Sequence, residues 1–146
     1  MTRDEICALI PHRPPFLFVD RILEVEPGKD ILGVWEVRAD LPPLAGHFPG
    51  HPMLPGVLLT EALAQVALVL ISLDERNRDR LFLLGSVNKM QFLRPVLPDA
   101  DVHLSARIER VMGTALVVRA SARVEGATVA RGELLIGSVA RPVQEK

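Results

Sequence analysis

Residues Gly46 to Gln65 read GHFPGHPMLPGVLLTEALAQ, and the reading of this stretch decides the rest of the chain. Its first half holds Gly46, Gly50 and Gly56 with Pro49, Pro52 and Pro55, a density that excludes helix or central strand. An apolar run then continues without a breaker to about Leu73. Proline is tolerated at a helix start, so Pro55 marks where a helix begins. From Gly56 to Leu73 such a helix would be roughly 27 Å long. Only Thr60, Glu61, Gln65 and Ser72 are polar within it, so a carboxylate sits in a nearly all-apolar helix.

Outward from this stretch, both halves of the chain read as sheet. Residues 3 to 10 suggest a short helix, followed by the turn-forming Pro11-His12-Arg13-Pro14-Pro15. Phe16 to Val25 reads as a strand closed by Pro27-Gly28, and Ile31 to Ala39 as its hairpin partner. After the helix, Asp74 to Arg80 is a charged connection. Leu81 to Val96 contains a strand with a bend near Gly85. Val102, Leu104, Ala106 and Ile108 then alternate with polar residues, as do Leu116, Val118, Ala120, Ala122 and Val124. Turns at Met112-Gly113-Thr114 and Glu125-Gly126-Ala127 connect these strands to one another and to Val129–Val139. Segregated elements of this kind predict an α+β fold, an antiparallel sheet around one long central helix, in a single domain spanning residues 1–146.

At 100° per residue, Leu59, Leu63, Val66 and Leu70 share one helix face, which belongs against the sheet. Glu61 and Gln65 fall on the opposite face beside Leu58, Leu68 and Ala64. That face is too apolar for water and calls for a cover: a substrate, a second subunit, or both.

The composition narrows the function classes. Lys and Arg number 17 against 18 Asp and Glu, tyrosine is absent and aromatics make up 4%. Neither an electrostatic footprint nor a stacking surface for nucleic acid is present. The single cysteine, Cys7, excludes an internal disulfide framework, and the N-terminal residues lack a signal-peptide pattern, so the expected location is cytoplasmic. Val57 to Leu73 has only marginal spanning length, and Glu61 and Gln65 within it argue against a membrane helix.

Three groups in the opening stretch could do chemistry. Glu61 reads either as an exposed helix carboxylate favoured by the helix dipole, or as a buried acid kept protonated by apolar cover and able to act as a general acid. Gln65, one turn on, could hydrogen-bond and orient it. A lone histidine is more often structural, yet His47 lies in a loop that must approach the helix start, where a neutral imidazole is available as a base. The free backbone N–H groups of Gly56 and Val57 offer a site for a developing oxyanion. Base, acid and oxyanion donors together suit proton abstraction beside a carbonyl with loss of a β-hydroxyl. His51 and His47 lack the further ligands that a metal site requires, and His103 and His12 read as exposed and loop-bracing residues.

PHRPPFLFVDRILEV (residues 11–25), GHFPGHPMLPGVLLTEALAQ and KMQFLRPVLP (residues 89–98) together resemble the hot-dog-fold β-hydroxyacyl-acyl carrier protein dehydratases of type II fatty acid synthesis. The resemblance spans nearly the whole chain. It implies that His47 and Glu61 are the catalytic pair, that the Gly56 N–H binds the thioester carbonyl, and that no cofactor or metal is needed. It further implies a homodimer in which the pair meets across the interface, a possible trimer of dimers, and substrates carried on acyl carrier protein or coenzyme A. An acyl tail would run beside Phe48, Val57 and Leu58. Glutamate at position 61 resembles the dehydratase-only branch of the family. The chain departs from the family pattern at Pro14, Asn88, Gln91 and Pro98-Asp99-Ala100, which bears on acyl preference and carrier docking. A hot-dog thioesterase and a non-catalytic acyl-binding subunit are the alternative readings.

Overall fold

The computed structural model describes residues 1–141. Two helices, α1 (Arg3–Leu9) and α2 (Gly56–Ser72), accompany six strands: β1 (Arg21–Glu26), β2 (Asp30–Val37), β3 (Arg80–Phe92), β4 (Ala100–Met112), β5 (Ala115–Val124) and β6 (Ala127–Ala140). All neighbouring strands are antiparallel, in the order β1-β2-β4-β5-β6-β3, so β1 and β3 form the two edges. The sheet wraps around α2, which is the expected hot-dog arrangement.

Local chemistry sets the connections. Gly28 takes φ +79° in the β1–β2 turn, where the Lys29 N–H donates to the Glu26 carbonyl. Glu125 and Gly126 both adopt positive φ between the paired residues Val124 and Ala127, a two-residue hairpin loop that matches the twist of the strands. Along β4, Val102, Leu104 and Ala106 are buried, as the alternation predicts. The strand pairing of β3 shifts register between Leu84 and Ser86, at the expected bend.

Helix α2 is the centre of the core. Leu59, Leu63, Val66 and Leu70 are buried, and a Cβ on Gly33 of β2 would come within 3.0 Å of the Val66 side chain. Glycine at position 33 therefore lets the helix approach the sheet closely. Phe18 stacks on Trp35 at 4.7 Å and closes one end of this layer.

The first strand differs from its sequence reading. Pairing with β2 starts at Arg21, not Phe16. The Asp20 carboxylate accepts the Glu36 N–H at 2.6 Å, taking the place of a backbone acceptor in the ladder. Upstream of it the chain leaves the sheet, and Leu17, Phe18 and Val19 are buried as a strap against the core. This strap lies over the Glu61 side of α2 and provides part of the cover that the helix wheel calls for, from within the same chain.

Candidate active site

The loop before α2 forms a 3-10 turn over Pro42–Gly46 and then holds His47 from two sides. The Met53 N–H donates to the His47 carbonyl at 2.8 Å, and His47 Nδ1 lies 2.8 Å from the Met53 carbonyl. A carbonyl only accepts, so Nδ1 carries the hydrogen and the neutral ring has its lone pair on Nε2. Phe48 stacks on the imidazole at 4.1 Å and is half exposed. The next anchor is Leu54, whose N–H donates to the Val96 carbonyl and fixes the loop to the segment beyond β3.

The start of α2 lies in the same cleft. His47, Met53, Leu54, Gly56, Leu59 and Phe92 line it together. Within the described residues, the Gly56 and Val57 N–H groups find no acceptor, as the first turn of a helix dictates. A Cβ at Gly56 would come within 3.0 Å of the Phe92 ring, so a side chain there would have to displace the ring from the helix start. Val57 is 76% exposed and Leu58 half-buried, leaving Val57 free to face an incoming group.

Glu61 occupies a different cleft, lined with His12, Ala64, Leu68, Phe82, Leu83, Leu84 and Ile136. Its side chain is 22% exposed. Gln65 is fully buried, with its amide committed on every side. The carbonyl oxygen accepts the Phe18 N–H at 2.8 Å, while Nε2 donates to the Phe16 carbonyl at 2.9 Å and to Glu61 Oε1 at 3.0 Å. Gln65 thus orients Glu61, as its one-turn spacing predicts, and can reach a substrate only through it.

One residue of this cleft escapes the sequence reading. His12, expected to brace the proline-rich turn, places Nε2 3.5 Å from Glu61 Oε1. Burial holds its pKa below the ordinary 6.5, with the Glu61 charge opposing and Arg13 adding to the depression. No local pattern announces such a contact, because it joins residues 49 positions apart through the path of the strap. His51 is exposed in the loop and His103 is half-buried on β4. Among the described residues, no group of three or more His, Cys, Asp or Glu is placed to hold a metal ion, and no helix is long and apolar enough to cross a membrane.

Within one chain, therefore, His47 and the free N–H groups share one cleft, and Glu61 with Gln65 and His12 shares another. This arrangement places an imidazole beside free N–H groups in one cleft and a carboxyl group oriented by Gln65 in the other.

Comparison with known proteins adds a lineage to this geometry. The family model described as a FabA-like domain matches residues 10–133. A 3-hydroxyacyl-[acyl-carrier-protein] dehydratase FabZ from Dechloromonas aromatica is 44% identical over 134 residues, covering 90% of this chain and 93% of the relative. The protein of the same name from Herpetosiphon aurantiacus is 39% identical and covers 95% of this chain and 99% of its own length. Among solved structures, the dehydratase heterocomplex ApeI:P from Xenorhabdus doucetiae superposes with a TM-score of 0.78 at 17% identity, over 92% of this chain and 90% of that one. That likeness speaks for the fold, while the sequence relatives speak for descent. The chain belongs to the FabA-like family.

Proposed function

We propose that this chain is a hydro-lyase that reversibly dehydrates (3R)-hydroxyacyl thioesters, carried on acyl carrier protein, to trans-2-enoyl thioesters in fatty acid biosynthesis. The curated relatives named above support the reaction and the carrier. The observation that carries the mechanism is the Nδ1 contact of His47 with the Met53 carbonyl, which turns the Nε2 lone pair into the available base.

In this reading His47 Nε2 takes the α-proton of the thioester. The electron pair of that C–H bond forms the Cα–Cβ double bond, the Cβ–O bond breaks, and Glu61 gives its proton to the departing oxygen, which leaves as water. The products of one turnover are the enoyl thioester, water, a protonated His47 and an ionised Glu61. Hydration runs the same steps backwards. The Gly56 and Val57 N–H groups face the thioester oxygen and stabilise its negative charge as the proton is lost. No nucleophile and no covalent intermediate are required.

Base and acid belong to separate clefts of one chain, and a homodimer would bring His47 of one subunit to Glu61 of the other. Edge strand β3 supports this assembly. It exposes Leu83, Leu84 and Val87, and the first two also line the Glu61 cleft. An unpaired apolar edge is a ready surface for a second copy. The acyl chain would lie between the subunits near Phe48, Val57 and Leu58.

A panel of 3-hydroxyacyl chains on carrier protein and on coenzyme A, followed by the ultraviolet absorbance of the enoyl thioester, tests the assignment. Enoyl formation from carrier-linked substrates is expected. Free thiol released without enoyl product would instead indicate a thioesterase, and tight binding without turnover an acyl-binding subunit.

A further inference from the structure

The two oxygens of Glu61 are not equivalent. Oε1 receives the Gln65 amide at 3.0 Å and faces His12 Nε2 at 3.5 Å, whereas Oε2 meets no hydrogen-bond partner among the described residues. The place of His12 is itself well determined. Arg13 directs its guanidinium to the carbonyls of Cys7, Ile10 and His12, at 2.8, 2.8 and 2.7 Å, and so pins the backbone of this turn to the end of α1. The imidazole then projects into the cleft, where its Nδ1 is buried with no partner.

That orphaned atom fixes the hydrogen. A neutral imidazole carries one N–H. If it were on Nδ1, a buried donor would go unpaired, and the Nε2 lone pair would face the lone pairs of Glu61. With the hydrogen on Nε2, the donor faces Oε1 at 3.5 Å, the outer edge of hydrogen-bond distance, and the buried Nδ1 is left with a bare lone pair in place of an orphaned N–H, the rarer and costlier case. The remaining walls bring no competing charge, since Phe82, Leu83 and Leu84 of β3 and Ile136 of β6 are apolar. Glu61 from α2 and Arg13 from the same turn are the charged groups that act on the ring.

We propose that His12 is a positioning residue for Glu61: with Gln65 it fastens Oε1 by a neutral Nε2–H, leaving Oε2 as the oxygen that holds and delivers the transferable proton. His12 keeps its own hydrogen throughout. Its donor strengthens as Glu61 passes its proton to the leaving hydroxyl and becomes a carboxylate, since hydrogen bonds to an ionised acceptor are the stronger ones. This inference rests on Glu61 being the acid of the proposed reaction.

The test compares wild type with His12→Met and His12→Gln, which match in length and differ in the donor. The full-length enzyme dehydrates (3R)-hydroxybutyryl-acyl carrier protein, the direction in which Glu61 must start protonated, across a pH series, with thermal midpoints recorded for each variant. His12→Met is expected to lower kcat about tenfold, the scale of one hydrogen bond to a charged group, with KM changed less than about twofold. Its alkaline limb in the kcat profile should move to higher pH, because the carboxylate form of the acid has lost a donor. His12→Gln should return the limb towards its wild-type position at a similar thermal midpoint. An unmoved limb in His12→Met, or the same displacement in both variants, overturns the proposal. His12→Ala takes the place of His12→Met if the latter does not fold, since it also lacks the donor and leaves space in place of a clash. Glu61→Gln is assayed in parallel. If it keeps near-normal turnover, the acid assignment itself falls; if it is inactive while the limb of His12→Met stays in place, only the positioning role fails.

Discussion

His47 Nδ1 and the Met53 carbonyl oxygen lie 2.8 Å apart, closing the loop between these residues, six positions apart, on the His47 side chain. The contact sets both the direction of the imidazole and the location of its lone pair. Glu61 is held separately, by the Gln65 amide on α2, so either side chain can be removed without disturbing the anchors of the other.

His47→Ala and Glu61→Gln should each fold, with hydration of a crotonyl thioester reduced by about 10²–10⁴, the range attributed to a positioned acid or base. Circular dichroism establishes the fold and the enoyl absorbance the rate. Near-normal turnover by either variant would remove that residue from the mechanism. If the sites are shared between subunits, mixing the two inactive variants should restore part of the activity, because one site of each mixed dimer then has both groups.

Gln65→Met should be markedly destabilised despite its similar shape. The buried Phe18 N–H loses its acceptor and the Phe16 carbonyl its donor, at about 1–3 kcal/mol for each orphaned group. Urea denaturation measures the loss directly. A change within a few tenths of a kcal/mol would show that the strap is held by its apolar residues alone.

The pH dependence of stability has a component with a definite sign. His12 holds its proton less tightly in the folded chain than the ordinary value of 6.5. Below that value the unfolded chain binds more protons, so folding free energy is lost as pH falls through about 6.5 and the loss is complete below the folded pKa. His12→Gln cannot titrate. Comparing its unfolding free energy with wild type between about pH 8 and pH 5 should reveal a flatter dependence. Parallel curves would contradict the depressed pKa.

Charge on the β3 edge should break the proposed dimer. Leu83→Arg changes an exposed residue that lines the Glu61 cleft, so the isolated chain can keep its fold. Sedimentation should show a shift towards monomer with a parallel fall in activity, recovered in part at high protein concentration. An unaltered dimer would place the contact elsewhere.

The sequence pattern reveals much of this fold because its signals are local. Pro55-Gly56 starts α2, Glu125-Gly126 forms the hairpin its residue types favour, and the alternation from Val102 to Ala106 follows the pleat. The strap was not legible. FLFVDRILEV has the composition of one continuous strand, and only the Asp20 carboxylate bound to the Glu36 N–H shows where the ladder is interrupted. His12 was missed for a related reason: its position against Glu61 depends on that interruption and on Arg13 gripping three carbonyls. The roles of His47 and Glu61 could be proposed from the nature of their surroundings, whereas the two-cleft division needed coordinates.

The Gln65 amide gives the molecule a polarity. One end accepts from Phe18 while the other donates to Phe16 and Glu61, and rotating it by half a turn would set donor against donor and acceptor against acceptor. The amide behaves as a keyed joint that admits a single orientation. A shift in the backbone around Pro14 and Pro15 would be transmitted through it to Glu61, so substitutions in a surface turn can reorient a carboxyl group that they never touch.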